Sequence, residues 1–305
     1  MKTVVSVSLG SRTRDHEATL SLLGETVRLR RQGTDGDLDR AAALIRSLDG
    51  GVDAIGLGGI DRYLVVRGRR YEIQDAARLA ESAKLTPVVD GSGLKDTWER
   101  SLIESLHREG AIAAGQRVLM VSSMDRFGMA EAFERLGYSL VAGDLIFASH
   151  IHYPIRTTAE LEELAAKLLP SWVKLPFHQL YPVGEAQVAD ADPKFREYFD
   201  AADIIAGDFH YIRRYLPDAL AGKVVITNTT TPEDVALLQA RGVSLLVTTT
   251  PVVDGRSFGT NVIEAALVAV SGVLPGEPDW PEVVARAGLQ GTKRWLSAHP
   301  QGEIS

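Results

Sequence analysis

In the first third of the chain, short apolar runs alternate with polar turns that contain glycine. Residues 4–9 carry the alternation typical of a strand. Strand-like segments also flank Gly24 and Gly68, and both pairs predict β-hairpins. Helical spacing follows Asp37, and a further helix is predicted over residues 95–109. The pattern therefore predicts a mixed α/β layer in which hairpins accompany β-α-β units.

Beyond residue 115 the pattern changes to short apolar strands separated by helix-forming stretches. The predicted strands are Arg117–Val121, Ser139–Gly143, Asp203–Ala206, Val224–Thr227 and Leu245–Thr248. Strands that alternate with helices indicate a parallel sheet with right-handed crossovers. The predicted fold class is α/β, with a mixed α/β N-terminal domain followed by a Rossmann-like doubly wound parallel sheet.

This change of pattern also predicts the domain organisation. Residues 1–114 are expected to form a mixed α/β substrate domain, and residues 115–275 a Rossmann-like nucleotide-binding domain. Residues 276–305 are expected to form a C-terminal helix that packs back on the first domain. A length of 305 residues, about twice the commonest domain size, also allows one continuous α/β domain.

Composition narrows the class of protein. The chain is 45% hydrophobic, contains no cysteine and has a formal net charge of −7. Disulfides, thiolate metal sites and cysteine nucleophiles are thereby excluded, and a nucleic-acid partner is not expected without a basic surface. Neither a secretory signal nor a membrane span is apparent in the pattern. We expect a cytoplasmic protein that acts on a small molecule, with a homodimer as the commonest default.

The loop after the first strand of the second half is the expected cofactor site, since ligands of doubly wound sheets lie beyond the carboxyl ends of the strands. The cofactor-binding candidates are Ser122, Ser123, Arg126, Gly128 and Asp144. Asp144 has the spacing of a carboxylate that binds the ribose of NAD and would repel the 2′-phosphate of NADP. The loop lacks the usual G-x-G-x-x-G, and Asp125 would face a pyrophosphate. S-adenosylmethionine is therefore the alternative cofactor, and a site without any nucleotide is the third possibility.

Polar side chains follow the later strands of the same half. Asn228, Thr250 and Arg256 are the candidates for substrate binding, because hydroxyl and amide groups orient a hydroxylated ligand and Arg256 can pair with a carboxylate. Threonine also favours strands for backbone reasons, so a purely structural role is the alternative for Thr250.

Acid–base chemistry is expected from Lys95, Asp61, Asp90 and His210. A lysine beside a carboxylate can relay a proton during oxidation of an alcohol, and a histidine just past a strand end can do the same. Turn chemistry alone is the alternative for the acidic residues, which stand beside glycines. We predict no metal, although His150, His152 and His178 leave a histidine site open.

Three segments carry a resemblance to a known family. Ala54–Asp61, Thr86–Lys95 and Thr249–Arg256 resemble segments of bacterial quinate 5-dehydrogenases, which are distant relatives of shikimate dehydrogenases. The resemblance implies a substrate domain before a nucleotide domain, a late helix that returns to the first domain, and a dehydrogenase activity. Lys95 with Asp90 or Asp61 would then take the place of the catalytic lysine and aspartate of that family.

The sequence therefore predicts an NAD-dependent oxidoreductase that moves a hydride to or from a small hydroxylated carboxylic acid. An S-adenosylmethionine-dependent methyltransferase is the first alternative, because it uses the same fold. A non-catalytic small-molecule-binding protein is the second.

Overall fold

A computed structural model describes residues 1–180, 195–253 and 256–297. Within this part the chain forms two large sheets covered by helices, which confirms the predicted α/β fold class. The strands are β1 (Lys2–Ser8), β2 (Glu17–Leu22), β3 (Glu25–Gly33), β4 (Ala54–Gly58), β5 (Tyr63–Val66), β6 (Arg69–Glu72), β7 (Val88–Val89), β8 (Arg117–Met120), β9 (Ser139–Ala142), β10 (Ile204–Gly207), β11 (Val224–Thr227), β12 (Leu245–Thr248), β13 (Val252–Val253), β14 (Arg256–Ser257) and β15 (Thr292–Trp295). The helices are α1 (Leu38–Leu48), α2 (Gln74–Ala80), α3 (Ser92–Asp96), α4 (Trp98–Arg108), α5 (Phe127–Arg135), α6 (Asp144–Ser149), α7 (Thr158–Trp172), α8 (Phe177–Leu180), α9 (Arg196–Ala201), α10 (Phe209–Tyr215), α11 (Pro232–Ala240), α12 (Thr260–Ser271) and α13 (Trp280–Ala287).

The first sheet has the strand order β2-β3-β1-β4-β7. Its strands are parallel except for β2, which pairs antiparallel with β3 as the predicted hairpin. Helix α12 packs across β1 and β4, and α1 contacts β1. We call this sheet with α1, α2, α3, α12 and α13 the first lobe. The second predicted hairpin, β5–β6, stands apart as a two-stranded sheet.

The second sheet has the order β15-β12-β11-β10-β8-β9, with β15 antiparallel and the others parallel. We call it, with α4–α11, the second lobe. The strands β10, β11 and β12 are buried along their whole length, as expected for a sheet covered by helices on both faces. The chain runs from β8 outward to β9 and then returns to β10 on the other side of β8. Ligands of such sheets lie where the strand order reverses, which here is between β8 and β10.

The two lobes share one apolar core. A single cluster of buried side chains joins Val7 on β1, Val66 on β5, Phe133 on α5 and Leu161 on α7. The β5–β6 hairpin makes this connection, because β5 packs on the 3-10 turn Met124–Arg126 that follows β8. The lobes therefore form one body whose sheets meet along a packed interface.

The C-terminal part of the chain differs from the predicted domain organisation. Helix α12 belongs to the first lobe, so the return to the first sheet begins at Thr260 and not at residue 276. The predicted C-terminal helix ends at Ala287, and residues 292–295 then add a strand to the second sheet. The sequence did not separate these elements because lysine and arginine in β15 break the alternation that marks a strand.

Helix α12 approaches β4 so closely that a side chain has no room at Gly56. A Cβ placed there would lie 2.7 Å from the carbonyl oxygen of Asn261. Because both partners are backbone, we expect Gly56→Ala to lower the free energy of unfolding by about 1–3 kcal/mol. Urea denaturation measures this, with Gly51→Ala as control, where the nearest atom lies 3.4 Å away. Equal stability of the two variants would contradict the close packing.

Candidate functional site

Charged side chains from both lobes meet at the carboxyl ends of the strands. β4 leads to Asp61, β7 leads to Lys95 on α3, and β8 leads to Asp125 and Arg126. β10 leads to Asp208. With Glu99 on α4 these residues form what we call the interlobe cluster: Asp61, Lys95, Glu99, Asp125, Arg126 and Asp208. It lies at the point where the strand order of the second sheet reverses.

Lys95 connects the two lobes within this cluster. Its Nζ lies 2.6 Å from Oδ1 of Asp61 and 3.3 Å from Oδ2 of Asp125, and its side chain is 7% exposed. Burial opposes the charge, but the carboxylates of Asp61 and Asp125 outweigh it and hold the pKa of the ammonium above its usual value. Lys95 therefore stays protonated at neutral pH and acts as a hydrogen-bond donor rather than as a base.

Asp61 is a carboxylate of the cluster whose pKa is raised towards neutral pH. Burial, with Asp125 and Asp90 nearby, raises its pKa to about 6, although Lys95 acts in the opposite direction. A carboxyl group with this pKa remains largely ionised at pH 7 and accepts hydrogen bonds there. The predicted pairing of Lys95 with an aspartate is thus present as a contact, with Asp125 as a third member.

Arg126 is almost fully buried and pairs with Glu99, which has no exposed surface. Nη1 of Arg126 donates to both carboxylate oxygens of Glu99, and the Thr249 hydroxyl donates to Oε1 at 3.0 Å. Nε and Nη2 of Arg126 and Oδ1 of Asp125 are buried and have no hydrogen-bond partner. Leaving such groups unmatched costs about 1–3 kcal/mol each, so they favour a ligand or water at this place.

Asp208 joins the cluster from the end of β10. Its Oδ2 accepts a hydrogen bond from Asn228 at 2.8 Å and lies 3.9 Å from Nη2 of Arg126. Burial would raise the pKa of Asp208, but His210, Arg126 and the Asn228 amide hold it at about 2. Asn228, predicted as a substrate ligand, therefore contacts the cluster through Asp208.

His210 forms a hydrogen bond with the loop that follows β1. Nη1 of Arg14 donates to Nε2 of His210 at 2.9 Å, a contact between the two lobes. Burial lowers the pKa of His210 and Arg14 lowers it further, against the opposing effect of Asp208. The imidazole is consequently neutral near pH 7 and already engaged by a cation.

Asp144, the predicted ribose ligand, uses one of its carboxylate oxygens to hold the loop after β8. Its Oδ1 accepts hydrogen bonds from the backbone N–H groups of Ser123 and Met124, both at 2.9 Å, and its Oδ2 is buried. Burial, with Asp125 nearby, raises its pKa to about 6 against the effect of these N–H groups. These two hydrogen bonds fix the loop after β8, whereas Oδ2 has no hydrogen-bond partner.

The two serine candidates differ in their hydrogen bonding. The Ser122 hydroxyl accepts a hydrogen bond from the N–H of Asp208 at 3.4 Å, whereas the Ser123 hydroxyl is buried without a hydrogen-bond partner. Gly128 allows α5 to pack on the end of α3, since a Cβ there would lie 2.7 Å from the carbonyl oxygen of Asp96. A glycine is therefore required here for the packing of the two helices.

Two further candidates form hydrogen bonds within the fold. Asp90 accepts hydrogen bonds from the backbone of Arg62 and Tyr63 and from Ser92, so it holds the loops behind the cluster. The buried Thr250 hydroxyl donates to the carbonyl oxygen of Phe258. The side chain of Arg256 lies outside the described residues.

The three histidines considered for a metal separate in the structure. His150 and His178 line one cavity, whereas His152 lies 3.8 Å from Glu197. Among the described residues, no three histidines, aspartates or glutamates are grouped as metal ligands. No helix in the same residues has both the length and the apolar character to cross a membrane.

Sequence reasoning missed Glu99, Asp208 and Arg14 as members of the site. Glu99 stands in a helical stretch whose pattern resembles a solvated face, and nothing in it indicated burial. Asp208 follows a strand end beside the histidine that was chosen, so strand-end position was the available signal.

Two models of protein families match the chain. Residues 93–296 match the model of a domain of unknown function, DUF8754, and residues 3–90 match that of DUF8753, another domain of unknown function. The first match covers more than half of the chain, which therefore belongs to the DUF8754 family. Among curated proteins, none matches the chain.

Several solved structures are similar to the chain at low identity. One is a substrate-binding protein of a sugar ABC transport system from Bordetella parapertussis, with 13% identity, a TM-score of 0.38, and coverage of 98% of this chain and 92% of that one. Another is GanP, a glucose-galactose binding protein from Geobacillus stearothermophilus, with 12% identity, a TM-score of 0.39, and coverage of 98% and 99%. A third is the periplasmic binding protein component of an arabinose ABC transporter from Shewanella, with 11% identity, a TM-score of 0.33, and coverage of 91% and 87%.

Two predictions are corrected at this point. The prediction of an NAD-dependent oxidoreductase is wrong, because Asp144 fixes the loop after β8 where a ribose ligand was expected and carboxylates face the place of the pyrophosphate. The three solved structures described above are those of sugar-binding proteins. The predicted cytoplasmic location is not supported, since one of the similar solved structures is that of a periplasmic binding protein.

Proposed function

We propose that this protein is a non-catalytic binding protein for a small polyhydroxylated molecule, held by the interlobe cluster. The observation that carries the proposal is the set of buried, unmatched polar atoms on Arg126 and Asp125 at the reversal point of the second sheet. The two nitrogens of Arg126 are donors and the oxygen of Asp125 is an acceptor, and a hydroxyl group both donates and accepts. A ligand with several hydroxyls satisfies both kinds of atom at once.

The charge of the cluster favours an uncharged group over an anion at this place. The carboxylates of Asp61, Glu99, Asp125 and Asp208 outnumber the cations of Lys95 and Arg126, even when Arg14 is added. A carboxylate ligand would meet four like charges, which is unfavourable in a buried site. The carboxylic acid that was predicted as substrate therefore fits less well than a neutral polyol or sugar.

The side chains expected to move protons are already committed to one another. Lys95 is held protonated between two carboxylates, and the neutral ring of His210 accepts a hydrogen bond from Arg14. Ligand binding requires no proton transfer, so it is compatible with these existing contacts. An acid–base enzyme would instead need one of these groups to exchange a proton.

Thermal unfolding in the presence of a ligand panel tests the proposal. The panel contains neutral monosaccharides and polyols, the corresponding sugar acids, and amino sugars. A ligand at 100 times its dissociation constant raises the free energy of unfolding by about 2.7 kcal/mol. Stabilisation by a neutral member that exceeds that by its acid is the expected result, and the absence of any neutral ligand would overturn it.

A substitution of Asp208 tests where the ligand binds. We expect Asp208→Asn to weaken binding of the neutral ligand about tenfold or more, because the carboxylate faces Arg126 and the amide does not balance that charge. Asp203→Asn is the matched control, since Asp203 precedes the same strand at its other end and pairs with Arg117 at the surface. Isothermal titration calorimetry gives both dissociation constants, and an equal loss in the two variants would contradict the placement of the ligand.

A further inference from the structure

A cavity lies beside the interlobe cluster on the second lobe. It has a volume of about 180 Å³ and is bordered by the ends of α6 and α10 and by α8. The polar residues that line it are His150, His178, Gln179, Tyr211 and Arg214. At about 30 Å³ per water molecule, this volume holds several waters or a group of the size of a phosphate.

The lining of this cavity has the opposite electrostatic character to the cluster. Arg214 carries a fixed positive charge, and the imidazoles, the amide and the phenol all offer N–H or O–H donors. Among the described residues that line the cavity, none is acidic. A metal cation would be repelled by Arg214, so these two histidines favour an anion.

The backbone at His150 is consistent with a functional placement of its ring. His150 ends α6 in the left-handed conformation with φ of 54°, which a residue other than glycine adopts at a cost in energy. Its ring packs on Phe195 and Tyr215 at centroid distances of 5.8 and 6.4 Å. The strained position and the aromatic support together hold the imidazole at the border of the cavity.

Tyr211 links the cavity to the interlobe cluster. It stands on α10, three positions after Asp208, and lines the cavity. Burial raises the pKa of its hydroxyl, and the carboxylates of Asp208, Asp125 and Asp144 raise it further. Tyr211 therefore stands about one helical turn from the cluster residue Asp208 and lines the same cavity as Arg214 and the two histidines.

We propose that the cavity is a second subsite that takes the phosphate group of a phosphorylated polyhydroxylated ligand. The inference rests on the proposed function, since the hydroxyls of the same molecule occupy the interlobe cluster. Arg214 supplies the cation, and the donors of His150 and His178 complete the hydrogen bonds to phosphate oxygens. The ligand class is therefore a sugar phosphate or polyol phosphate.

Matched pairs of compounds test the subsite. Glucose with glucose 6-phosphate, ribose with ribose 5-phosphate, and glycerol with glycerol 3-phosphate are titrated calorimetrically at constant ionic strength. Inorganic phosphate is titrated alone and followed by thermal unfolding. We expect at least one phosphate ester to bind ten times or more tightly than its parent, and inorganic phosphate to compete with that ester.

Variants separate the two subsites. Arg214→Gln is expected to remove the gain from the phosphate and to leave affinity for the parent compound within twofold. His150→Asn, which keeps a residue that tolerates left-handed backbone, is expected to reduce the gain in part. Arg241→Gln removes the same charge from an arginine that pairs with Asp218 at the surface, and we expect it to leave the gain unchanged.

The outcomes distinguish failure of this inference from failure of the proposed function. If parent compounds bind but their phosphates bind no better, or if Arg214→Gln and Arg241→Gln behave alike, the subsite is refuted and the proposed function stands. If inorganic phosphate binds and depends on Arg214 while no hydroxylated parent binds at any concentration, the proposed function fails and only an anion site remains. An equal gain from sugar acids would refute the assignment to phosphate.

Discussion

Replacement of Glu99 by alanine is expected to lower the free energy of unfolding by about 3–5 kcal/mol, the largest effect of any single substitution proposed for this protein. Glu99 has no exposed surface, and its partner Arg126 is 1% exposed. Removal of the carboxylate leaves a guanidinium buried without its main counterion. Its other nearby carboxylates lie farther away, at 3.6 Å for Asp125 and 3.9 Å for Asp208.

Chemical denaturation of wild type and variant measures this loss. Glu104→Ala is the matched control, because Glu104 lies on the same helix and pairs with Arg135 at the surface, where ion pairs contribute about 0–1 kcal/mol. A double variant, Glu99→Leu with Arg126→Met, removes both charges and is expected to recover much of the lost stability. If Glu99→Ala costs no more than Glu104→Ala, the pair is not buried as described.

Glu264 gives the second large effect, as a dependence of stability on pH. Its carboxylate on α12 accepts hydrogen bonds from the N–H groups of Gly91 and Leu94, both at 2.8 Å. Burial raises the pKa of Glu264 to about 8, and Asp90 adds to this, while the two N–H groups and Lys95 act against it. The folded protein therefore favours the protonated acid.

The sign of the effect follows from this shift. The stabilising contribution of the protonated group is complete below the unfolded pKa of 4.5 and is lost as the pH rises through 8. Across this range the free energy of unfolding is expected to fall by on the order of 4 kcal/mol. Glu264→Gln stays neutral but loses one of the two N–H bonds at every pH, so the stability of the variant relative to wild type should rise by about this amount between pH 4 and pH 9.

Urea denaturation from pH 4 to 9 compares the two proteins. Asp61 and Asp144, with pKa values raised to about 6, change stability equally in both, so the difference between the curves reports Glu264. Glu109→Gln is the control, since Glu109 is partly exposed and pairs with Lys293. A constant difference between wild type and Glu264→Gln at all pH values would contradict the raised pKa.

Much of the fold follows from the hydrophobic pattern. Both hairpins and the parallel strands β8 to β12 of the second sheet were predicted, because Gly24 and Gly68 mark turns and buried parallel strands appear as short apolar runs. The placement of α12 was not predictable. Its sequence is apolar apart from a few residues such as Asn261 and Glu264, which indicates burial but does not say against which sheet.

Part of the candidate site was also predictable from the positions of residues along the chain. Strand ends pointed to Asp61, Lys95 and Arg126, since position along the chain determines which side chains reach that edge of a sheet. What each side chain does there depends on its partners. The pairing of Arg126 with Glu99 and the capping role of Asp144 join residues 27 and 21 positions apart, and no local pattern records either contact.

The position of α12 also sets the order in which the chain can fold during synthesis. The strands β1 and β4 are made early, yet one face of each is covered by a helix that begins at Thr260. Until the ribosome has made most of the protein, that face stays exposed to solvent and to other nascent chains. The early segment is therefore expected to need protection in the cell, and release of the C-terminal helices is the event that completes its core.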